Sequence, residues 1–296
     1  MASWKGKSSG TALGYIIFIF LLKHVGLRSA YLLLRLISFY YIFLLPFATK
    51  NIYQYFRFRV GFSFGKSIIS IYKNYYIFGQ SIIDKVATWS GIKTNFTYSF
   101  DGDHYLKEIN KDGKGAILIS AHVGNWEIAS SLLKELHSKI NVVLLDAEHK
   151  NIKKTLDKTM TKRDLNIIPI RSDLSHVFKI ANALRNNEVV CFHGDRFVDG
   201  SPTVIKKLLG KEAKFPEGPI RTIHRLNVPY SFVFAFKTGP KHYSLSATKG
   251  KLPSQNMDTT FNEYIALLEK QINKYPLQWF NYYDFWDMNL KGAKPR

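Results

Sequence analysis

The chain has 296 residues, 46% of them hydrophobic and 22% charged, so it is long and apolar enough to bury a sizeable core. Forty-two lysines and arginines against 22 aspartates and glutamates give a formal net charge of +20. This excess predicts an anionic partner: nucleic acid, a membrane surface, or an acidic carrier or substrate. The single cysteine, Cys191, excludes a disulfide framework, and the scattered histidines predict no metal site.

The basic charge is concentrated at the N-terminus. The first acidic residue is Asp84, and two apolar runs, Ala12 to Leu22 and Leu36 to Ala48, lie before it. A nucleic-acid arm would be basic and polar, so this basic and apolar region indicates membrane contact and no nucleic acid. The basic residues that precede Asp84 are Lys5, Lys7, Lys23, Arg28, Arg35, Lys50, Arg57, Arg59, Lys66 and Lys73.

The first mode of membrane contact is a single transmembrane helix. A span needs about 20 apolar residues, so the first run would have to extend back to Thr11 and forward past Lys23. Lys5 and Lys7 would then hold the N-terminus in the cytoplasm.

The second mode is one or two interfacial helices, with Arg28 and Arg35 reaching the lipid headgroups. Either mode makes residues 1–84 an N-terminal membrane-associated helical region. We expect residues 85–296 to form one catalytic domain behind it, because no linker interrupts them.

Apolar strand-like runs alternate with helical patterns in the second region. Strands are predicted at 115–121, 141–146, 166–170, 188–193, 203–209, 230–236 and 242–247. Helices are predicted at 125–138, 151–163, 175–185, 216–226 and 260–274. This alternation predicts an α/β fold with a mixed central sheet flanked by helices.

The first of these strands is followed by a chemically rich segment, Ser-Ala-His122-Val-Gly-Asn125-Trp-Glu127. Ligands of open α/β sheets bind beyond the carboxyl ends of the strands, so we expect His122 at the mouth of such a crevice. Glu127 falls in the first turns of the next helix, where its carboxylate can turn back to the imidazole. That contact would fix the tautomer and raise the basicity of the other nitrogen, as a general base requires.

The fourth strand ends in Phe-His-Gly-Asp195-Arg196. Neighbouring strand ends share a crevice, so Asp195 and Arg196 are expected to face His122. Arg196 is suited to hold an anionic headgroup or phosphate, with Asp195 orienting Arg196 or the His122 region. The alternative is a turn with a local ion pair. A third segment places Glu217 at a predicted helix start.

Together these segments resemble the glycerolipid acyltransferases, and more closely the lipid A biosynthesis (lauroyl/myristoyl) acyltransferases of bacterial inner membranes. The stretch from His122 to Glu127, with its Gly-Asn-Trp interior, matches the family's His-x4-Asp/Glu motif and is the most specific part. Phe-Pro-Glu217-Gly is similar to an acceptor-binding block. Pro-Leu-Gln-Trp279 supplies the C-terminal element, so the resemblance covers essentially the whole chain.

The resemblance implies a membrane-bound enzyme with its catalytic domain on the cytoplasmic side of the inner membrane. It would move a fatty acyl chain from an acyl-carrier-protein or CoA thioester to a hydroxyl or amine of a lipid acceptor, without a cofactor. His122 would be the general base, Glu127 its orienting carboxylate and Arg171 a donor to the oxyanion. The resemblance also implies four candidate substrate-binding residues: Asn125, Asp195, Arg196 and Glu217.

Two further points stay open at the level of sequence. Because the carrier protein is acidic, the basic helix at 151–163 is a candidate docking face, although a solvated helix face has the same pattern. The alternative function is a non-enzymatic basic membrane protein that binds anionic lipid or nucleic acid. Loss of His122 would leave such a binder unaffected.

Overall fold

The computed structural model describes residues 12–128, 138–145, 165–171 and 173–289. The predicted helix at 151–163 lies outside these residues, as does most of the one predicted at 125–138, which begins as expected at Trp126.

Helices form the N-terminal region. They are α1 (Ala12–His24), α2 (Leu27–Leu44), α3 (Pro46–Gln54), a π-helical turn (Tyr55–Arg59) and α4 (Phe64–Trp89). The second apolar run is therefore divided between two helices. Pro46 lacks an amide hydrogen and disfavours helical geometry in the residue before it, and Leu45 accordingly has φ −119° and ψ 63°.

Of the described helices, α2 is the one long and apolar enough, by length and composition, to cross a membrane. The expected span in the first run corresponds to α1, of which 13 residues are described. One face of α2 packs on α4, where Leu34 lies over Gly79 so closely that a Cβ at Gly79 would be 2.4 Å from Leu34 Cδ1. The opposite face of α2 exposes large apolar side chains, among them Leu36 and Phe43.

The central sheet has seven strands in the order β1-β9-β8-β2-β5-β3-β4. All neighbouring pairs are parallel except β8 and β9, so the expectation of a mixed α/β sheet is confirmed. The strands are β1 (Thr97–Asp101), β2 (Ala116–Ser120), β3 (Ile140–Leu145), β4 (Leu165–Ile170), β5 (Val189–His193), β8 (Tyr230–Gly239) and β9 (His242–Ala247).

A separate antiparallel hairpin joins β6 (Thr203–Leu208) to β7 (Lys211–Pro216). The remaining helices whose bounds lie within the described residues are α5 (Asp103–Glu108), α6 (Ser175–Arg185), α7 (Gly218–Leu226), α8 (Met257–Lys274) and a 3-10 turn (Pro276–Gln278). The helix predicted from Pro216 was placed too early, because Pro216 ends β7 and α7 begins at Gly218.

The two faces of the sheet are covered differently. Ile117 and Ile119 of β2 belong to the largest core cluster, which includes Tyr264 of α8. Leu118, between them, belongs to a second cluster with Leu106 of α5 on the opposite face. Successive side chains of a strand point to opposite faces, so β2 is buried on both faces of the sheet. Its carboxyl end lies where the neighbouring parallel strand β5 also ends.

A buried polar contact joins the N-terminal helices to the sheet. Residue 84, the expected domain boundary, lies inside α4, and the Asp84 carboxylate is fully buried. It accepts hydrogen bonds from Lys237 Nζ (2.5 Å), Tyr31 Oη (2.5 Å) and Tyr243 Oη. The first acidic residue of the chain thus connects α2, α4, β8 and β9.

Candidate active site

The segment that follows β2 is held in place from two sides. Val123 forms an isolated antiparallel bridge with Trp279, and the Phe280 amide donates to the His122 carbonyl at 3.2 Å. Gly124 has φ +64°, and a Cβ there would lie 1.9 Å from the Ala235 carbonyl oxygen. Only glycine tolerates that approach, so the backbone that carries His122 has one defined path.

His122 is bound through two contacts to Asp195. Its Nδ1 lies 2.8 Å from Asp195 Oδ1, and its backbone amide donates to Asp195 Oδ2 at 3.0 Å. The two residues meet because β2 and β5 are neighbouring parallel strands, paired Ser120 to His193 at their carboxyl ends. The Asp195 side chain is 1% exposed and that of His122 is 18% exposed.

The charge state of this pair follows from its surroundings. Burial by itself raises the pKa of Asp195, but the contact with His122 and the charge of Arg196 outweigh it and hold the pKa well below 3.8. The carboxylate is therefore ionised, and it accepts the hydrogen of Nδ1. The lone pair is then on Nε2, so this nitrogen is the one that can accept a proton.

Glu127 lies in the first helical turn after this segment, as expected. Its carboxylate accepts a hydrogen bond from Lys85 Nζ of α4 at 2.7 Å. Lys85 also lies over the Trp89 ring, 4.7 Å from its centroid. Among the described contacts, the carboxylate on Nδ1 of His122 is thus Asp195, and Glu127 joins the helix after His122 to α4.

His193, which the sequence analysis did not single out, lies beside His122. The ring centroids are 4.4 Å apart with a 34° tilt, and the Trp126 ring lies edge-on to His193 at 5.0 Å. Burial lowers the pKa of His193 well below 6.5; protonation of His122 and the charge of Arg196 lower it further, against the opposing effect of Asp195. The signal that would have placed His193 beside His122 is the parallel register of β2 and β5, which pairs Ser120 with His193.

An apolar cavity lies on the face of the sheet to which the His193 side chain points. Its lining alternates along neighbouring strands, as the pleat requires, and it reaches the carboxyl ends at Ser120 and His193. Lining residues include Leu118, Ser120, Val142, Cys191, His193 and Val233. Burial raises the pKa of the Cys191 thiol to about 12. The cavity therefore begins next to His122 and continues among apolar side chains.

The two candidate arginines are placed differently. Arg196 donates to the Phe280 carbonyl at 2.9 Å, and its guanidinium lies 5.9 Å from the Tyr283 ring centroid. It therefore connects the Asp195 segment to the C-terminal segment. Arg171 is exposed beyond β4, three strands from β2, which is roughly 14 Å at about 4.8 Å per strand.

The other candidate residues contact the protein itself. Asn125 is 1% exposed, and its side chain donates to the Ser81 carbonyl at 3.1 Å and accepts from the Ile128 amide at 3.4 Å. It caps the helix after His122 and ties it to α4. Glu217 lies one residue before α7 and forms an ion pair with Arg221 at 2.5 Å. The basic docking face predicted at 151–163 lies outside the described residues.

Comparison with known proteins gives a family match. The family model described as bacterial lipid A biosynthesis acyltransferase matches residues 67–286. No curated protein matches the chain. Among solved structures, the chain is similar to the 1-acyl-sn-glycerophosphate (LPA) acyltransferase PlsC of Thermotoga maritima, with 13% identity, a TM-score of 0.38, and coverage of 85% of this chain and 98% of that chain.

Proposed function

The chain belongs to the bacterial lipid A biosynthesis acyltransferase family, and we propose that it transfers a fatty acyl chain from a carrier-protein or CoA thioester to a hydroxyl or amine of a membrane lipid. Membership of this family shows that the chain is an acyltransferase, and it excludes the alternative of a non-enzymatic binding protein. The donor, the catalytic residues and the membrane contact are the parts proposed.

The contact of His122 with Asp195 carries the proposal. Asp195 fixes the hydrogen on Nδ1, so Nε2 removes the proton of the acceptor as its oxygen or nitrogen attacks the thioester carbonyl. The ionised, buried Asp195 stabilises the imidazolium that forms. The imidazolium then gives its proton to the leaving thiolate. General-base catalysis of this kind contributes about 10²–10⁴-fold.

The lining of the apolar cavity supports an acyl group as the transferred group. It begins at His193 and Ser120, beside His122, and continues past Cys191 and Leu118. Burying a methylene group stabilises a bound group by about 0.8 kcal/mol, so this apolar lining favours the acyl carbons nearest the thioester, within a cavity of ≈ 50 Å³.

The N-terminal helices support binding at the membrane surface. The outer faces of α1 to α4 expose large apolar side chains, including Phe20, Leu36, Phe43 and Phe64. Between residues 12 and 83 these faces carry basic but no acidic residues. Such a surface inserts among acyl chains while its cations contact anionic headgroups.

An orientation in the plane of the membrane fits the packing of α2. Tyr31 of α2 contacts Asp84, and the Arg35 carbonyl accepts from Tyr72, so α2 runs antiparallel along α4. The helix α4 itself packs against the C-terminal segment, where Asn74 Nδ2 donates a hydrogen bond to the Leu277 carbonyl at 3.0 Å. A spanning α2 would therefore draw the catalytic domain into the bilayer, whereas an interfacial α2 leaves it outside.

Purified full-length protein in lipid vesicles tests the proposal. We expect it to transfer labelled acyl chains from acyl-carrier-protein or acyl-CoA to lipid, and His122→Ala to lose at least about 10²-fold while keeping the wild-type melting temperature. Running the two donors in parallel assigns the donor class. Wild-type turnover by folded His122→Ala protein would contradict the assignment of the base.

A further inference from the structure

A second imidazole lies at the reaction centre and has no part in the contact between His122 and Asp195. His193 ends β5, directly opposite Ser120 of β2, and its ring centroid is 4.4 Å from that of His122. It also lines the apolar cavity. A thioester bound at the carboxyl ends of β2 and β5 would thus meet His122 and His193 together.

The surroundings of His193 keep it neutral and leave its ring nitrogens available to a ligand. Burial lowers its pKa well below 6.5, so at neutral pH one ring nitrogen carries a hydrogen and the other does not. Within the described residues, its ring contacts are with His122 and Trp126, and no hydrogen bond to protein engages its nitrogens. His193 is partly exposed, so a ligand bound at the strand ends can reach its ring.

The reaction needs such a donor. Attack on a thioester places negative charge on the carbonyl oxygen, and stabilising that oxyanion is usually the largest contribution to catalysis. Arg171, the candidate from sequence, is exposed and three strands from β2. His193 is adjacent to the base.

We propose that the imidazole N–H of His193 donates a hydrogen bond to the carbonyl oxygen of the acyl thioester and stabilises the oxyanion; this rests on the proposed acyl transfer. The acceptor oxygen or nitrogen forms a bond to the carbonyl carbon and its proton goes to Nε2 of His122, while the π electrons move to the oxygen bound by His193. Collapse restores the carbonyl and breaks the C–S bond. The thiolate leaves and takes the proton from His122.

The neutrality of His193 suits this role. A cation 4.4 Å from His122 would oppose proton transfer to it, because two like charges at that distance repel in a buried site. A neutral imidazole avoids the repulsion and still polarises a carbonyl, as neutral histidines do in other enzymes.

The test compares two variants of similar volume that differ in the N–H group. His193→Gln keeps an amide hydrogen that can be donated, and His193→Leu has none. We expect His193→Leu to lose about 10²–10³-fold in kcat with little change in KM for the thioester, and His193→Gln to be at least about tenfold faster than His193→Leu. The matched control is His242→Leu on β9, whose ring bonds Thr97 and Ser99 at the far side of the sheet; we expect it to keep wild-type kinetics.

Each outcome decides the question. Equal kcat for the folded leucine and glutamine variants, or a leucine variant as fast as wild type, overturns the role of His193 even though acyl transfer occurs. Absence of transfer by wild-type protein with either thioester would instead contradict the proposed function. If His193→Leu does not fold, His193→Phe replaces it, because phenylalanine has a ring but no N–H group. We then expect His193→Gln to be at least about tenfold faster than His193→Phe.

Discussion

Two carboxylates near His122, the proposed base, differ in what they bind. Asp195 binds Nδ1 and the backbone amide of His122, whereas Glu127 binds Lys85. Asp195→Asn should favour the wrong tautomer of His122, because the amide can donate to Nδ1 and shift the hydrogen to Nε2; we expect a loss in kcat of about 10²–10⁴-fold. Glu127→Gln keeps an oxygen that accepts from Lys85 and should lose less.

Steady-state kinetics of the two folded variants measure this difference. Each is the other's control, since both remove one negative charge and leave the volume unchanged. A loss for Glu127→Gln as large as that for Asp195→Asn would return the orienting role to Glu127.

At the residue scale, the sequence predicted His122 as the candidate base and Asp195 as a residue that faces it, but not which carboxylate contacts its imidazole. His122 stands at a strand end in a motif that can be read locally. Asp195 is 73 residues away, and only the parallel pairing of β2 with β5 brings the two together. His193 was missed for the same reason. Pairing order between strands is a property of the whole sheet, so no local pattern contains it.

Among the elements, α4 and β8 are joined by a buried ion pair whose removal should be costly. Burial raises the pKa of Asp84 and lowers that of Lys237, so their mutual contact offsets only part of the desolvation of the two charges. Asp84→Ala leaves Lys237 buried without its partner, and we expect a destabilisation of about 3–5 kcal/mol. Thermal unfolding in detergent checks it.

The matched control for this change removes both charges. Asp84→Leu combined with Lys237→Met should recover most of the lost stability, because apolar side chains of similar volume avoid the desolvation. A single Asp84→Ala variant as stable as wild type would show that the N-terminal helices are not held to the sheet through this pair.

Elements with strong apolar runs were predicted well. β2, β3, β5 and α6 were expected within a residue or two of their bounds, because buried parallel strands and amphipathic helices have distinct patterns. β1 and β7 were missed since neither is a continuous apolar run: β1 alternates exposed with half-buried side chains, and β7 begins with two exposed charged residues. The break at Pro46 was missed because composition was read without the steric effect of proline.

At the scale of the whole molecule, the positive charge and the apolar helices together predict binding to anionic membranes. Leu36 and Phe43 of α2 are 72% and 68% exposed. Replacing both by glutamate removes apolar area that would insert and adds repulsion from anionic lipid, so we expect at least about a tenfold loss in affinity for phosphatidylglycerol vesicles.

Co-sedimentation with these vesicles measures the loss. Phe178→Glu on α6 is the matched control, since Phe178 is 78% exposed but lies outside the N-terminal helices. Equal binding of the α2 variant and wild type would contradict the membrane surface proposed for α2.

We propose that the chain acylates a lipid with His122 as base, held by Asp195. Mass spectrometry of total lipids from bacteria expressing the full chain tests it most directly, since it needs no prior choice of acceptor. We predict a lipid whose mass is raised by one acyl group and which is absent from cells expressing His122→Ala at equal level and reduced with Asp195→Asn. The same acylated lipid at wild-type amount with folded His122→Ala protein would contradict the account.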